Sequence, residues 1–541
     1  QVFHKHGTRG TWYAHASVGT LHVRPILDMR AGGAEKMRAI AQEACAMVKQ
    51  YKGAYSGEHG DGLVRSEWIA PFFGPRLTAV LGEIKGWIDP KGLMNPGKIV
   101  RPTKMDDKSL FRFASGYATK VPAPALDWSE FEIDSAARGQ GFAKAVEMCN
   151  NNGHCRKFDA GTMCPSYRVT QDEKHLTRGR ANTLRLALSG QLGPDALASD
   201  VVKDAMELCV SCKGCRRECP TGVDMARMKI EFLHHYKQRH GLTLRDRMIG
   251  WLPRYAPWAS RLAPIVNAVQ DMGRGWLGFA SERSLPKWRG GAPTGTASGD
   301  CDVVLFVDTF NRWFEPENAH AALKVLRAGG YRVHVAPPVC CGRTFLSIGR
   351  VDEARAEARR MLEALEPYVE RGIPIVGLEP SCLLSLRDEV KLLLPGADSQ
   401  ALATQAFLFE EFLAREAERG TLELSLKPLD RRALLHGHCH QKSFGAMPAV
   451  EQALRLVPQL EVETIESSCC GMAGSFGYEA EHYGVSMQMA EASLLPAVRA
   501  ADAQTLIVAD GTSCRHQIAD GARRQALHVS RVLELALAGT T

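Results

Sequence analysis

Of the sixteen cysteines in this 541-residue chain, fourteen fall in tight groups after residue 148, and only Cys45 and Cys301 stand apart. The densest run is Cys209-x2-Cys212-x2-Cys215-x3-Cys219-Pro220. A loop with that spacing wraps a cubane so that three thiolates reach three irons, while the cysteine before the proline turns to a second cluster. Upstream stand Cys149, Cys155 and Cys164, the last again followed by proline. Crossing over, Cys164, Cys209, Cys212 and Cys215 are expected to hold one [4Fe–4S] cluster, and Cys149, Cys155 and Cys219 a second. The second set is short, because a regular run would place a cysteine where the chain has Asn152. A three-iron cluster, recruitment of another ligand such as His154, and no cluster all stay open there. Cys-x2-Cys pairs also suit Zn²⁺, the alternative chemistry for the same residues.

Two further groups share a pattern. Cys340-Cys341-Gly342 is followed by Cys382, and Cys469-Cys470-Gly471 by Cys514, at 41 and 44 residues from the second cysteine of each pair. Adjacent cysteines can splay both thiolates onto one centre only when the next residue is backbone-permissive, which Gly342 and Gly471 supply. A cysteine pair can equally be buried and inert. The motifs VCCGRTFLSIG, EPSC, HGHCHQ, SCCGMAGSFGYE and GTSC resemble the cysteine-rich repeats of the heterodisulfide-reductase B subunit and the glycolate oxidase iron–sulfur subunit. That resemblance implies a further cluster or zinc site in the second repeat, formed by Cys439, Cys469, Cys470 and Cys514. In the first repeat Asp308 and Thr309 stand where the opening cysteine is expected, leaving Cys340, Cys341 and Cys382. An occupied site and a metal-free one are both open for that copy. His436, His438 and His440 flank Cys439 as candidate imidazole ligands or proton relays, although each alone is ordinarily structural.

Near the amino terminus, His15 and His22 lie seven residues apart on one expected strand-turn-strand, and Glu58 adjoins His59 in the Gly-rich SGEHGDG. Two imidazoles and a carboxylate are a common set for a divalent metal such as zinc or manganese, with coordination positions left open. HASVGTLHVRP, SGEHGDGLVRSEW and DPKGLMNPGKIV together are similar to the C-terminal part of FAD-linked oxidases of the D-2-hydroxy-acid dehydrogenase family. The resemblance implies that His15, His22 and Glu58 hold the substrate's hydroxyl and carboxylate through a metal, that His59 takes the hydroxyl proton, and that Asn95 lies beside the flavin. A divalent cation lowers the pKa of a coordinated alcohol, and a neighbouring imidazole can accept its proton. The flavin accepts the hydride and supplies the hard chemistry. In that family the FAD-binding domain precedes this region, and no Gly-rich flavin-phosphate loop is visible here, so the chain reads as a piece of a larger protein. The combination implies oxidation of a D-2-hydroxy acid to the 2-oxo acid, with D-2-hydroxyglutarate favoured and D-lactate next. Electrons would leave through [4Fe–4S] clusters to a quinone or another acceptor such as an electron-transfer protein. The rival readings are an electron-transfer iron–sulfur module without catalysis of its own, and a zinc-binding structural protein.

The elements that must position these groups follow from pattern and composition. The length suggests three or four domains. Hydrophobic residues at 45% and charged ones at 23% describe a soluble globular chain without long disorder. No apolar run is long enough to span a membrane. A net charge of +7 without a Lys/Arg block argues against nucleic-acid binding. Clustered cysteines without an export signal suggest a reducing compartment, hence the cytoplasm. A peripheral contact at the inner face of the membrane and association with further copies of the chain stay open. Residues 1–105 read as an α+β end of an oxidase, with a helical period from Ala34 to Tyr51. A linker over 106–140 precedes a helical two-cluster ferredoxin-like domain over 141–240, with a helix-like segment at 177–191. Residues 241–300, rich in Trp, Pro and Arg, read as a linker or irregular covering segment. Strand–helix alternation then builds two α/β Cys-Cys-Gly repeats, 301–428 and 429–541, with helical periods at 317–328 and 352–366 in the first. The expected fold class is multidomain α+β and α/β.

Overall fold

The computed structural model describes residues 1–538 except 30, 58, 114–115, 133–138, 160 and 296–299, and it divides into two compact units at Ala118 and Thr119. In the first unit, β1 (Gly10–His15) and β2 (Thr20–Pro25) form an antiparallel hairpin in which Tyr13 faces His22 and His15 faces Thr20. A short 3₁₀ turn ends at Gly19, whose φ of +63° suits glycine. Helix α1 (Gly33–Gln50) and helix α2 (Pro75–Ile88) follow. On α1, Arg38 pairs with Glu67 and, at 2.6 Å, with Asp106, and Glu67 accepts the Met105 amide at 2.9 Å. The unit thus extends past the oxidase-like segment proper.

The second unit begins with residues that sequence alone places in a linker. Leu126 and Trp128 are buried, because the fully buried Glu231 accepts the Ala125 and Leu126 amides and the Trp128 indole N–H at 2.8–3.0 Å. The Arg227 guanidinium covers the Trp128 ring at 3.9 Å. Helices α3 (Gly141–Glu147), α4 (Pro165–Thr170), α5 (Thr177–Leu188), α6 (Asp200–Glu207), α7 (Gly214–Glu218) and α8 (Met225–His240) make the segment helical. The stretch read as an irregular covering segment is helical over much of its length: α9 (Leu244–Gly250), α10 (Leu252–Arg261) and α11 (Ala263–Val269). Its prolines mislead, since Pro253 and Pro264 occupy first-turn positions where the missing N–H costs nothing, and only Pro257 lies inside a helix.

Two parallel sheets of four strands complete the unit. The first repeat has β3 (Val303–Phe306), α12 (Thr309–Trp313), α13 (Pro316–Ala328), β4 (Val333–Val335), α14 (Val351–Val369), β5 (Ile375–Gly377), α15 (Pro380–Leu386) and β6 (Ala406–Leu408). The second has β7 (Arg431–Leu435), α16 (Cys439–Phe444), β8 (Leu460–Thr464), α17 (Tyr483–Glu491), β9 (Leu506–Val508), α18 (Thr512–Ala522), β10 (Ala526–Leu527) and α19 (Val529–Ala536). The strand orders, β4-β3-β5-β6 and β8-β7-β9-β10, coincide, which makes the repeat structural as well as sequential. Strands β3 and β5 are buried throughout, as parallel strands covered by helices on both faces must be. One core joins Leu184, Met206 and Phe232 of the helical segment to Val304, Phe345 and Leu386 of the first repeat. Another joins Val303 and Val376 to Leu435 and Val508 across the two sheets. Full burial of a side chain such as Phe345 contributes about 1.5–3 kcal/mol.

Candidate redox centres and substrate site

Cys164, Cys209, Cys212 and Cys215 come together as a mutually interacting set of buried thiols. The loop reaches this shape by left-handed backbone at Ser211 (φ +50°) and Lys213 (φ +60°). Gly214 is required here: a Cβ would lie 2.9 Å from the Met163 amide nitrogen, so only glycine lets the Cys164 loop approach. Cys164 caps α4, with Pro165 next, and its sulfur receives the Thr177 amide at 3.3 Å. The Met225 amide donates to Cys215 sulfur at 3.3 Å. Burial pushes Cys164, Cys212 and Cys215 up, so a metal must displace their protons on binding. Four convergent thiols, with amides donating to two of the sulfurs, fit a [4Fe–4S] cluster.

The other ferredoxin-like set is looser. Cys155 interacts with Cys149 and Cys164 and is pushed up to about 11 by burial. Cys219 is half-buried beside the Thr221 hydroxyl at 3.3 Å. Asn152 is exposed and tied to its own turn, donating to Asn150 Oδ1 at 2.6 Å and accepting the His154 amide at 2.8 Å. His154 is exposed too.

In the second repeat, Cys439, Cys469, Cys470 and Cys514 form one connected thiol group with His436. The hydrogen bond from Cys469 lowers Cys439 to about 6, against the effect of burial. Hydrogen bonds from Cys469 and Cys514 hold Cys470 well below the usual thiol range. The donors Cys469 and Cys514 are pushed up in turn. Gly471 has φ +82°, and a Cβ there would lie 2.2 Å from the Ser486 carbonyl oxygen on α17.

The first repeat copies the frame with three cysteines. Cys340, Cys341 and Cys382 are buried and linked, and Gly342 is again left-handed, at φ +80°. No thiol of this set is lowered below its ordinary value. Cys382 stands at about 11: the Cys341 hydrogen bond lowers it, and burial together with the nearby Asp308, Glu379 and Cys340 more than offsets that. Register aligns the two copies: Leu305 pairs with Val376 and Leu435 with Val508, and Cys382 and Cys514 each follow six residues later. Phe306 and Thr309 therefore occupy the places of His436 and Cys439, and Asp308 that of His438. Asp308 caps α12, accepting from the Phe310 and Asn311 amides at 2.9 and 3.1 Å and from Asn311 Nδ2 at 2.7 Å. Burial, with Glu379 nearby, pushes its carboxyl up to about 6.

One network gave no sequence signal beyond a lysine inside a cysteine motif. Lys213, only 2% exposed, pairs with Asp388 and, at 2.9 Å, with Glu389. Arg343, next to Gly342, reaches Glu389 at 3.0 Å. His440 Nε2–H donates to the Ser211 carbonyl at 3.0 Å, and the Ser443 hydroxyl donates to the Cys212 carbonyl at 2.8 Å. The cluster loop is therefore bolted to both repeats, with Cys212 and Cys439 close enough to interact.

In the first unit three imidazoles converge. The ring centroids of His15 and His22 are 4.8 Å apart, and those of His22 and His59 are 5.0 Å apart. Tyr13 stacks on His22 at 4.3 Å. Gly57 allows this approach, because a Cβ would lie 2.4 Å from the Thr20 hydroxyl oxygen. Glu58 lies outside the described residues. Asn95 sits exposed in a turn with φ +45°. That turn is set by Asp89, which accepts the Leu93 and Met94 amides at 2.9 and 2.8 Å.

Comparison with known proteins fits these divisions. Residues 1–99 match the FAD linked oxidases, C-terminal domain; residues 145–223 the 4Fe-4S dicluster domain; and residues 306–387 and 433–519 the cysteine-rich domain. The chain thus joins the end of an FAD-linked oxidase to an iron–sulfur segment and two cysteine-rich domains. Over 96% of its length it is 29% identical to D-2-hydroxyglutarate dehydrogenase of Pseudomonas putida, covering 55% of that protein. It is 28% identical to one subunit of the anaerobic glycerol-3-phosphate dehydrogenase of Escherichia coli, over 55% of this chain and 78% of that one. To the probable glycolate oxidase iron-sulfur subunit of Bacillus subtilis it is 24% identical, over 67% of this chain and 87% of that one. The chain spans about half the length of the D-2-hydroxyglutarate dehydrogenases it matches. No solved structure matches it. Among the described residues no helix is long and apolar enough to cross a membrane.

Proposed function

We propose that the chain is the electron-exporting half of an FAD-dependent dehydrogenase that oxidises a D-2-hydroxy acid, D-2-hydroxyglutarate first and D-lactate next. The observation that carries this reading is one chain bearing both a three-imidazole site in an oxidase-type domain and buried thiol centres, alike over 95–96% of its length to D-2-hydroxyglutarate dehydrogenases. His15 and His22, with Glu58, would hold a divalent zinc or manganese ion and so anchor the substrate's hydroxyl and carboxylate; the donor set suits such a cation. His59 would take the hydroxyl proton on its ring nitrogen. Bound FAD, with Asn95 beside it, would accept the hydride and release electrons singly to the clusters. Cys164, Cys209, Cys212 and Cys215 would carry one [4Fe–4S] cluster. Cys149, Cys155 and Cys219 are three donors toward a second, and Cys439, Cys469, Cys470 and Cys514 would hold a further centre.

The test is a panel of D-2-hydroxy acids on the anaerobically purified full protein, following flavin bleaching together with iron and sulfide content. Bleaching by D-2-hydroxyglutarate with His59→Ala abolishing it supports the reading; bleaching by no D-hydroxy acid overturns it. The match to a dehydrogenase subunit over 78% of that subunit's length favours a second reading, an electron-transfer module whose catalytic partner is a separate chain. Reduction of the clusters only when a partner flavoprotein is added would select it.

An acceptor in a membrane, such as a quinone, fits one further surface. Trp258 on α10, Leu262 after it, Ile265 and Val269 on α11, and Met272 and Trp276 on the turns beyond are exposed, with Trp276 99% exposed and the exposed Arg254 and Arg261 nearby. Exposed apolar side chains with cations nearby suit the surface of an anionic lipid bilayer. Sedimentation with anionic vesicles, lost in Trp258→Glu/Trp276→Glu, is the expected result; no sedimentation of the unaltered protein sinks it.

A further inference from the structure

The HGHCH sequence puts three imidazoles around Cys439, and the structure gives them different jobs. His438 Nδ1 accepts the His440 amide at 3.1 Å as a helix cap. His440 Nε2–H is committed to the Ser211 carbonyl at 3.0 Å. His436 has no such duty. It is 1% exposed; its Nε2 has no well-aligned hydrogen-bond partner, and the thiol it interacts with is Cys470. A nitrogen of His436 and the sulfurs of Cys470 and Cys514 all lie within 4.8 Å of one another.

The other ring nitrogen has an outer partner. His436 Nδ1 lies 2.9 Å from Ser467 Oγ. That hydroxyl already accepts from Lys442 Nζ at 3.0 Å and turns its own hydrogen toward the Ile465 carbonyl at 3.4 Å. In that arrangement Ser467 accepts from Nδ1–H, and Nε2 presents its lone pair to the thiols. Metal-binding histidines are fixed in this way, donating from one nitrogen to an outer partner while the other binds.

A second observation comes from the copy that lacks the opening cysteine. The register that puts Thr309 in the place of Cys439 puts Phe306 in the place of His436. The thiol and the imidazole are absent together, as members of one ligand set would be.

We propose that His436 is a fifth protein ligand of the metal centre in the second repeat, binding through Nε2 beside Cys439, Cys469, Cys470 and Cys514. The inference rests on that centre holding iron. Nitrogen bonded directly to a paramagnetic iron centre gives a hyperfine coupling several times that of a nitrogen hydrogen-bonded to a sulfur ligand.

The experiment is pulsed EPR of the dithionite-reduced, anaerobically purified full chain, unlabelled and with ¹⁵N-histidine, alongside His436→Ala, His436→Cys and Cys470→Ser. The expected result is a strong histidine coupling that changes isotope with the label. It should vanish in His436→Ala and in His436→Cys, the cysteine variant keeping the iron content of the parent. A coupling that survives His436→Ala, or only a weak one in the parent, overturns the proposal. If Cys470→Ser leaves iron content and spectrum unchanged, the repeat holds no iron, and the reading beneath the proposal fails with it.

Discussion

The two cysteine-rich repeats share strand order, register and a left-handed glycine after the cysteine pair, yet differ in every residue that would face a metal from the first strand. The second repeat has His436 and Cys439; the first has Phe306 and Thr309, with Asp308 spent on capping a helix. Two thiols of the second repeat are held below their ordinary range by neighbours that donate to them, and none of the first is. The topology is secured by the apolar strands and the helices on them, so it survives loss of the donors. The chemistry depends on a few side chains at the strand ends.

The sharpest way to break this comparison is a pair of matched substitutions. Cys470→Ser is expected to remove all iron of the second-repeat centre, while Cys341→Ser leaves iron content unchanged; equal losses would mean that both copies are loaded. Next in size is the buried cation that docks the cluster loop on the first repeat. Lys213→Ala leaves Asp388 with Arg216 and Glu389 with Arg343 as their remaining cations and is expected to cost about 1.5–3 kcal/mol, read from denaturant unfolding. The glycines follow. Gly471→Ala and Gly342→Ala each force left-handed backbone on alanine, at about 1–2 kcal/mol. The second-repeat variant should lose more, since its Cβ would lie 2.2 Å from a backbone oxygen against 2.8 Å in the first.

The smallest expected effect concerns pH. The second repeat meets α6 through His482, 3.6 Å from Glu207 and 2.9 Å from Glu479. Burial opposes the charged imidazole, but the two carboxylates raise its pKa above the ordinary value. The facing His482 imidazolium lowers Glu207 to about 2. The imidazole's contribution is complete below about pH 6.5 and is lost as pH rises through the raised value. That of Glu207 is complete above about pH 4.5 and is lost toward pH 2. His482→Gln should therefore lower Tm by a few degrees at pH 5.5 and by less at pH 9; an equal loss at both would remove the titrating contact.

Much of this was legible in the sequence, for definite reasons. The helix expected over Ala34–Tyr51 lies at Gly33–Gln50, and those at 317–328 and 352–366 lie at Pro316–Ala328 and Val351–Val369, because each keeps a helical apolar period. Cysteine spacing brought out the thiol groups because ligands of one centre recur in short loops. Other features were hidden. Proline at first-turn positions made the helices from Leu244 to Val269 look irregular. Glu231, 103–106 residues from the amides and indole it accepts, gave no local sign that the stretch around Trp128 is fastened down. Asp388, 175 residues from Lys213, and its neighbour Glu389 gave no local sign of the pair they form with it.

That lysine has a consequence for how the molecule is made. It emerges from the ribosome 175 residues ahead of Asp388, an interval of roughly 9–35 s at 5–20 residues per second. Until the later acids arrive, Asp224 is the one acid among its charged neighbours that has been made, and both ion-pair partners of the ammonium are missing. Fastening of the thiol loop to the first repeat is thus a late event of synthesis, since the carboxylates that clasp the ammonium belong to a domain made after the cysteines.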